Sequence, residues 1–136
     1  MSSRLVPCRL AQVVIDEHAE HQSIIIAELD GPRRFPIAIG AHEALAIDSA
    51  LKGVRFPRPS THDLIAVLLL ALRGRLDEVR IVDLDDGVFR ADLRIDCHGA
   101  IKEIDCRPSD AIAMLVRQPQ AALLVADHVL AEACPE

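Results

Sequence analysis

Residues 58–72 read RPSTHDLIAVLLLAL, in which Arg58, Pro59, Ser60, Thr61, His62 and Asp63 form a polar corner that runs straight into an aliphatic segment without a charge. Pro57 and Pro59 fix φ and bias their predecessors towards extended backbone, so the corner is an ordered loop. Ser60 and Asp63 stand at the spacing of a capping box, which starts a helix at Pro59 or Ser60. The helix is apolar around its whole circumference and therefore needs burial on most sides, so the sequence makes it the central helix of the fold. Arg73 and Gly74 end it, with the glycine suited to a left-handed C-terminal cap. A shorter version of the same entrance, Arg107-Pro108-Ser109-Asp110, runs into a second aliphatic segment at 111–116.

Upstream of this corner, residues 5–15 and 23–27 read as two strands around the polar segment 17–21, and Asp30-Gly31-Pro32 turns the chain into a third strand at 34–39. An antiparallel meander follows. Gly40 marks the change to a helix at 41–51, with Ala44, Ile47 and Leu51 on one stripe. Downstream, Asp85-Asp86-Gly87 marks a hairpin between 75–84 and 88–97. The second of these strands alternates, with Phe89, Ala91, Leu93, Ile95 and Cys97 inward and Arg90, Asp92, Arg94 and Asp96 outward. A strand at 100–106, a helix to about Arg117, a short strand at 122–125 and a helix at 127–133 complete the chain. No linker interrupts the 136 residues, so they form one α+β domain with its motif-bearing part at about 5–130. The expected architecture is a mainly antiparallel or mixed sheet, a buried central aliphatic helix and further packing helices.

Composition narrows the function. Hydrophobic residues make up 51% and aromatics 2%, with neither Trp nor Tyr, so the core is aliphatic and a base-stacking platform is not supported. The net charge of −6 opposes broad attraction to a phosphate backbone, and any nucleic acid must meet a local basic site. Cys8, Cys97, Cys106 and Cys134 lack the C-x-x-C spacing of zinc or redox motifs and fit reduced thiols in a cytoplasm. The run at 64–72 is about half the length that a bilayer crossing requires, so no membrane is expected.

Several motifs together carry a family resemblance. Phe35-Pro36-Ile37-Ala38-Ile39-Gly40, Glu43-Ala44, the 58–64 corner, Val82-Asp83-Leu84 with Gly87 and Phe89, and Arg107-Pro108-Ser109-Asp110-Ala111-Ile112-Ala113 resemble the bifunctional nuclease family in order and spacing over most of the chain. The sequence departs from that pattern at Arg90, where an aromatic is common, and at 120–124, which weakens base stacking further. The resemblance implies a small α+β domain, a homodimer, and hydrolysis of DNA or RNA.

Phosphodiester hydrolysis needs an activated water and neutralisation of charge on the phosphoryl oxygens, supplied by carboxylate-bound metal ions or by a His with basic partners. Arg58, His62, Asp63, Arg107 and Asp110 are the candidate catalytic residues: the arginines as phosphate clamp, His62 as base or ligand. Asp63, Asp110 and Glu43 are the candidate ligands of a divalent metal, Mg²⁺ or Mn²⁺. Most of these residues also have a structural alternative: Ser60 and Asp63 cap a helix, Asp110 complements another helix N-terminus, His62 suits a buried imidazole bonded to a backbone carbonyl, and Arg107 suits an ion pair with Asp63 or Glu43. A non-catalytic, dimeric binding or regulatory module is therefore the competing function.

Overall fold

The computed structural model describes residues 4–134. Three strands, β1 (Leu5–Val14), β2 (Gln22–Glu28) and β3 (Arg34–Ile39), form the expected antiparallel meander and lead into α1 (Ala41–Leu51). After the corner and α2 (Thr61–Ala71), a second meander of β4 (Gly74–Asp85), β5 (Val88–Cys97) and β6 (Ala100–Cys106) leads into α3 (Pro108–Leu115). β7 (Ala122–Ala126) and α4 (Asp127–Ala133) close the chain. The fold is α+β, and among the described residues it has one seven-stranded mixed sheet and four helices.

β7 joins the two meanders. The strand order is β3-β2-β1-β7-β4-β5-β6, with β7 antiparallel to β1 and parallel to β4. The return to a parallel partner is made by α3, as a crossover connection requires. Phe35 of β3 and Phe89 of β5 stack with ring centroids 5.4 Å apart, although several strands separate them in the sheet. The sheet therefore curls, and α4 packs against β3, β4 and β7 with Val129 and Leu130 buried.

Local sequence explains the boundaries. Ser60 caps α2 in a full capping box with Asp63. The β4–β5 hairpin turns at Asp86 and Gly87, both with positive φ, the arrangement that an Asp-Gly pair favours. In β5, Ala91, Leu93 and Ile95 are buried as the alternation requires.

Three expectations are corrected. The buried central helix is α3 and not α2: α3 buries Ser109 and Ala111, Ile112, Ala113 and Met114 against β4, β5 and α1, whereas α2 buries no residue. Small side chains at Ala111 and Ala113 let α3 approach the sheet closely, and α2 is left at its flank. On α1, Leu51 is exposed, and the buried positions are Ala44, Ile47 and Ser49. At the end of α2 the left-handed residue is Arg73, at φ 59°, and not Gly74. Gly74 begins β4, where a Cβ would stand 3.2 Å from Leu69 Cδ2, so close packing explains the glycine there.

Candidate active site

The N-termini of α1, α2 and α3 meet at one place. Each carries an acidic residue in its first turn, Glu43, Asp63 and Asp110, which complements the positive end of the helix dipole. The two Arg-Pro-Ser corners of the sequence are thus brought together by the approach of α2 to α3.

His62 Nε2 lies 3.0 Å from Asp110 Oδ1, and the imidazole is largely buried at 12% exposure. Arg107, the N-cap residue of α3, donates from Nε to Asp110 Oδ2 at 2.9 Å and from Nη2 to Oδ1 at 3.3 Å. Its Nη1 reaches Glu43 Oε1 at 3.4 Å, so one guanidinium bridges two carboxylates. Burial opposes ionisation of Asp110, but the bonds from Arg107 and then from His62 outweigh it and hold the carboxyl below its usual range. Asp110 is therefore a carboxylate at neutral pH. In a neutral imidazole it accepts the Nε2 proton, which leaves Nδ1 with the lone pair.

Asp63 belongs to a different cluster. Arg117 Nε donates to its Oδ1 at 2.7 Å, and Oδ2 accepts from the Ser60 hydroxyl at 2.8 Å and the Ser60 backbone N–H at 3.3 Å. The Arg117 bond, more than the Ser60 bonds, keeps the Asp63 carboxyl below its usual range against the effect of burial. Both oxygens are engaged, and the carboxylate serves as cap and ion-pair partner. Arg58 stands in the exposed loop before α2 and, among the described residues, makes no hydrogen bond or ion pair.

The donor set does not fit a metal ion as it stands. Asp63 is committed to Arg117 and Ser60, and the Arg107 guanidinium already bridges Glu43 and Asp110. Among the described residues no group of three or more His, Cys, Asp or Glu converges as metal ligands.

Arg117 is the residue that sequence reasoning missed. Its side chain is 7% exposed, and besides Asp63 it donates to the Ala113 carbonyl at 2.9 Å and the Ala46 carbonyl at 3.2 Å. The only signal was a cation just past an otherwise aliphatic helix, and that is ordinarily a complement to the helix dipole.

A groove of about 860 Å³ opens beside His62 between α2 and the sheet. Ile65, Leu68 and Leu72 line one wall and Leu93, Ile95 and Ile104 the other, with His62, Asp110, Arg107 and Glu43 at the polar end. It is an aliphatic cavity with a few convergent polar groups, the usual form of a binding site. Among the described residues no helix is long and apolar enough to cross a membrane.

Comparison with known proteins places the chain. The Bifunctional nuclease domain profile matches residues 24–136. Uncharacterized proteins from two strains of Mycobacterium tuberculosis are each 42% identical over 125 residues, covering 92% of this chain and 74% of the relative. The chain belongs to the bifunctional nuclease domain family.

Proposed function

We propose that the protein hydrolyses phosphodiesters of DNA or RNA, with His62 as the proton-transfer group. The observation that carries this reading is the hydrogen bond between His62 Nε2 and Asp110 Oδ1, at the polar end of the groove. Asp110 fixes the tautomer and orientation of the ring, so that Nδ1 takes the proton of an attacking water and the resulting imidazolium stays paired with a carboxylate. Arg107 is well exposed, and the N–H groups not committed to Asp110 and Glu43 are available to phosphoryl oxygens. His62 and Arg107 are the catalytic residues of this reading, and Asp110 is the positioning residue. Arg58 lies outside this cluster and serves as an approach contact for the polyanion.

A second reading is favoured by the groove itself. Its walls are aliphatic, it offers no aromatic face for a base, and the chain carries a net charge of −6. These features suit a non-catalytic binding or regulatory module. In either role the protein acts as a homodimer in the cytoplasm, consistent with its four free cysteines.

Cleavage of single- and double-stranded DNA and RNA by protein freed of contaminating nuclease, measured with added Mg²⁺ or Mn²⁺ and again with a chelator, decides between them. Loss of general-base catalysis in His62→Ala should lower the rate by roughly 10²- to 10⁴-fold. Asp110→Asn should lower it too, and should shift the pH profile. Equal cleavage by the wild type and His62→Ala would overturn the catalytic reading and leave the binding module.

A further inference from the structure

Polarity in the groove beside His62 is sorted along one axis. On α2, His62, Ile65, Leu68 and Leu72 recur at helical spacing along one wall, so that this stripe is polar only in its first turn. On the facing wall, β6 reaches Arg107 through Ile104 and Cys106; Leu93 pairs with Ile104, and Ile95 lies farther still from Arg107. Both walls therefore start at the polar end and run out aliphatic. No Phe lines them, so a polynucleotide would leave most of the groove unused.

At the polar end the acceptors are taken and the donors are not. Asp110 accepts from His62 and Arg107 at Oδ1 and from Arg107 at Oδ2. Glu43 holds Arg107 with Oε1 and turns Oε2 over Gly40, where a Cβ would stand 2.6 Å away. The Arg107 side chain is 66% exposed with N–H groups to spare, and among the described residues the Thr61 hydroxyl at the groove has no partner. Neither α1 nor α3 has a side-chain cap, so their first-turn N–H groups lack that acceptor. The N-termini of α1, α2 and α3 each add about half a positive charge. An ammonium group would have to displace Arg107 from two carboxylates, whereas an anion takes donors that nothing else uses.

We propose that the groove binds a phosphate ester with a single aliphatic chain, its phosphate on Arg107 and Thr61 beside His62 and its chain laid between α2 and the β5–β6 hairpin towards Leu72. From His62 to Leu72 the α2 axis rises about 15 Å, the length of an extended chain of about ten to twelve carbons. The groove volume of about 860 Å³ lies within the range of small-molecule sites. Binding stands on the groove alone; cleavage of the bound ester would rest on the hydrolytic reading of His62.

Calorimetric titration with n-alkyl phosphates below their micelle concentrations, in a chelator, tests this. Decyl phosphate should bind at one saturable site, and each methylene between hexyl and decyl should tighten binding roughly two- to four-fold. The gain should level off beyond about twelve carbons, where the chain passes the end of α2. Inorganic phosphate, decanol and decyltrimethylammonium, which test the head, the chain and the sign of charge separately, should each bind at least ten-fold more weakly. Ile104→Glu and, separately, Leu72→Glu place a carboxylate in the walls at well-exposed positions and should weaken decyl phosphate more than ten-fold with unchanged circular dichroism. Leu70→Glu, at the most exposed position of α2 and outside this groove, should leave it unchanged. Arg107→Gln should bring decyl phosphate down to the affinity of decanol.

No saturable binding of decyl phosphate, or equal losses in Leu70→Glu and the two wall variants, would overturn the proposal. Equal affinity for decyltrimethylammonium would overturn the anionic head. A wild type that binds decyl phosphate but cleaves no phosphodiester defeats the hydrolytic reading alone, and one that cleaves polynucleotides without binding decyl phosphate defeats this proposal alone.

Discussion

Arg117 donates from Nε to Asp63 Oδ1 at 2.7 Å, a bond that ties the end of α3 to the first turn of α2 across 54 positions of the chain. The same guanidinium holds the Ala46 carbonyl of α1 and the Ala113 carbonyl of α3. One nearly buried cation is thus the common partner of the three helices whose N-termini build the site.

Arg117→Met keeps most of the volume and removes every donor. It leaves a carboxylate and two carbonyls without their partner, which should cost about 2–4 kcal/mol, discounted from the fully buried case because Asp63 is 40% exposed. Urea denaturation measures it. A loss below about 1 kcal/mol would mean that helix packing alone positions the site.

Acidification should weaken the fold through the same contacts. The carboxyls of Asp63 and Asp110 are both held below their usual range in the folded protein. Groups with depressed folded values contribute stability that is fully present above the unfolded value, about 3.9 for Asp, and is lost as pH falls through the folded value. Urea midpoints should therefore fall as pH is lowered below about 5. The decline should be shallower in Arg117→Met, where Asp63 has lost the larger cause of its shift. Identical slopes in the two proteins would remove Asp63 from the acid response.

Much of this architecture was legible because it is locally determined. The alternation of Ala91, Leu93 and Ile95, the Asp86-Gly87 turn and the Ser60–Asp63 capping box all depend on residues within a few positions of one another. The insertion of β7 between β1 and β4 was not legible, since it depends on which strand edges remain open after both meanders have formed. Nor does an apolar run such as 64–72 say how far the rest of the fold covers it, and α3, not α2, proved to be the buried helix. Of the candidate site residues, His62, Asp110, Arg107 and Glu43 come together and Asp63 and Arg58 do not. Their partners lie up to 64 positions away, and side-chain spacing carries no information at that range.

The Arg107 bridge makes a prediction about metal ions. Its guanidinium neutralises Glu43 and Asp110 from Nη1 and Nε, so a divalent cation reaches those oxygens only by displacing it. Arg107→Ala leaves two carboxylates facing one another beside His62, a donor set of the hard oxygen type that Mg²⁺ and Mn²⁺ accept. Calorimetric and paramagnetic titration with Mn²⁺ should therefore show no saturable site at Asp110 in the wild type, and a weak one in Arg107→Ala that is lost again in Arg107→Ala/Asp110→Asn. Wild-type protein that binds Mn²⁺ and loses it in Asp110→Asn would show that Arg107 yields its place, and would return hydrolysis at this site to a metal-assisted mechanism. Cleavage insensitive to chelator, together with a silent wild-type titration, would instead leave proton transfer to His62 alone.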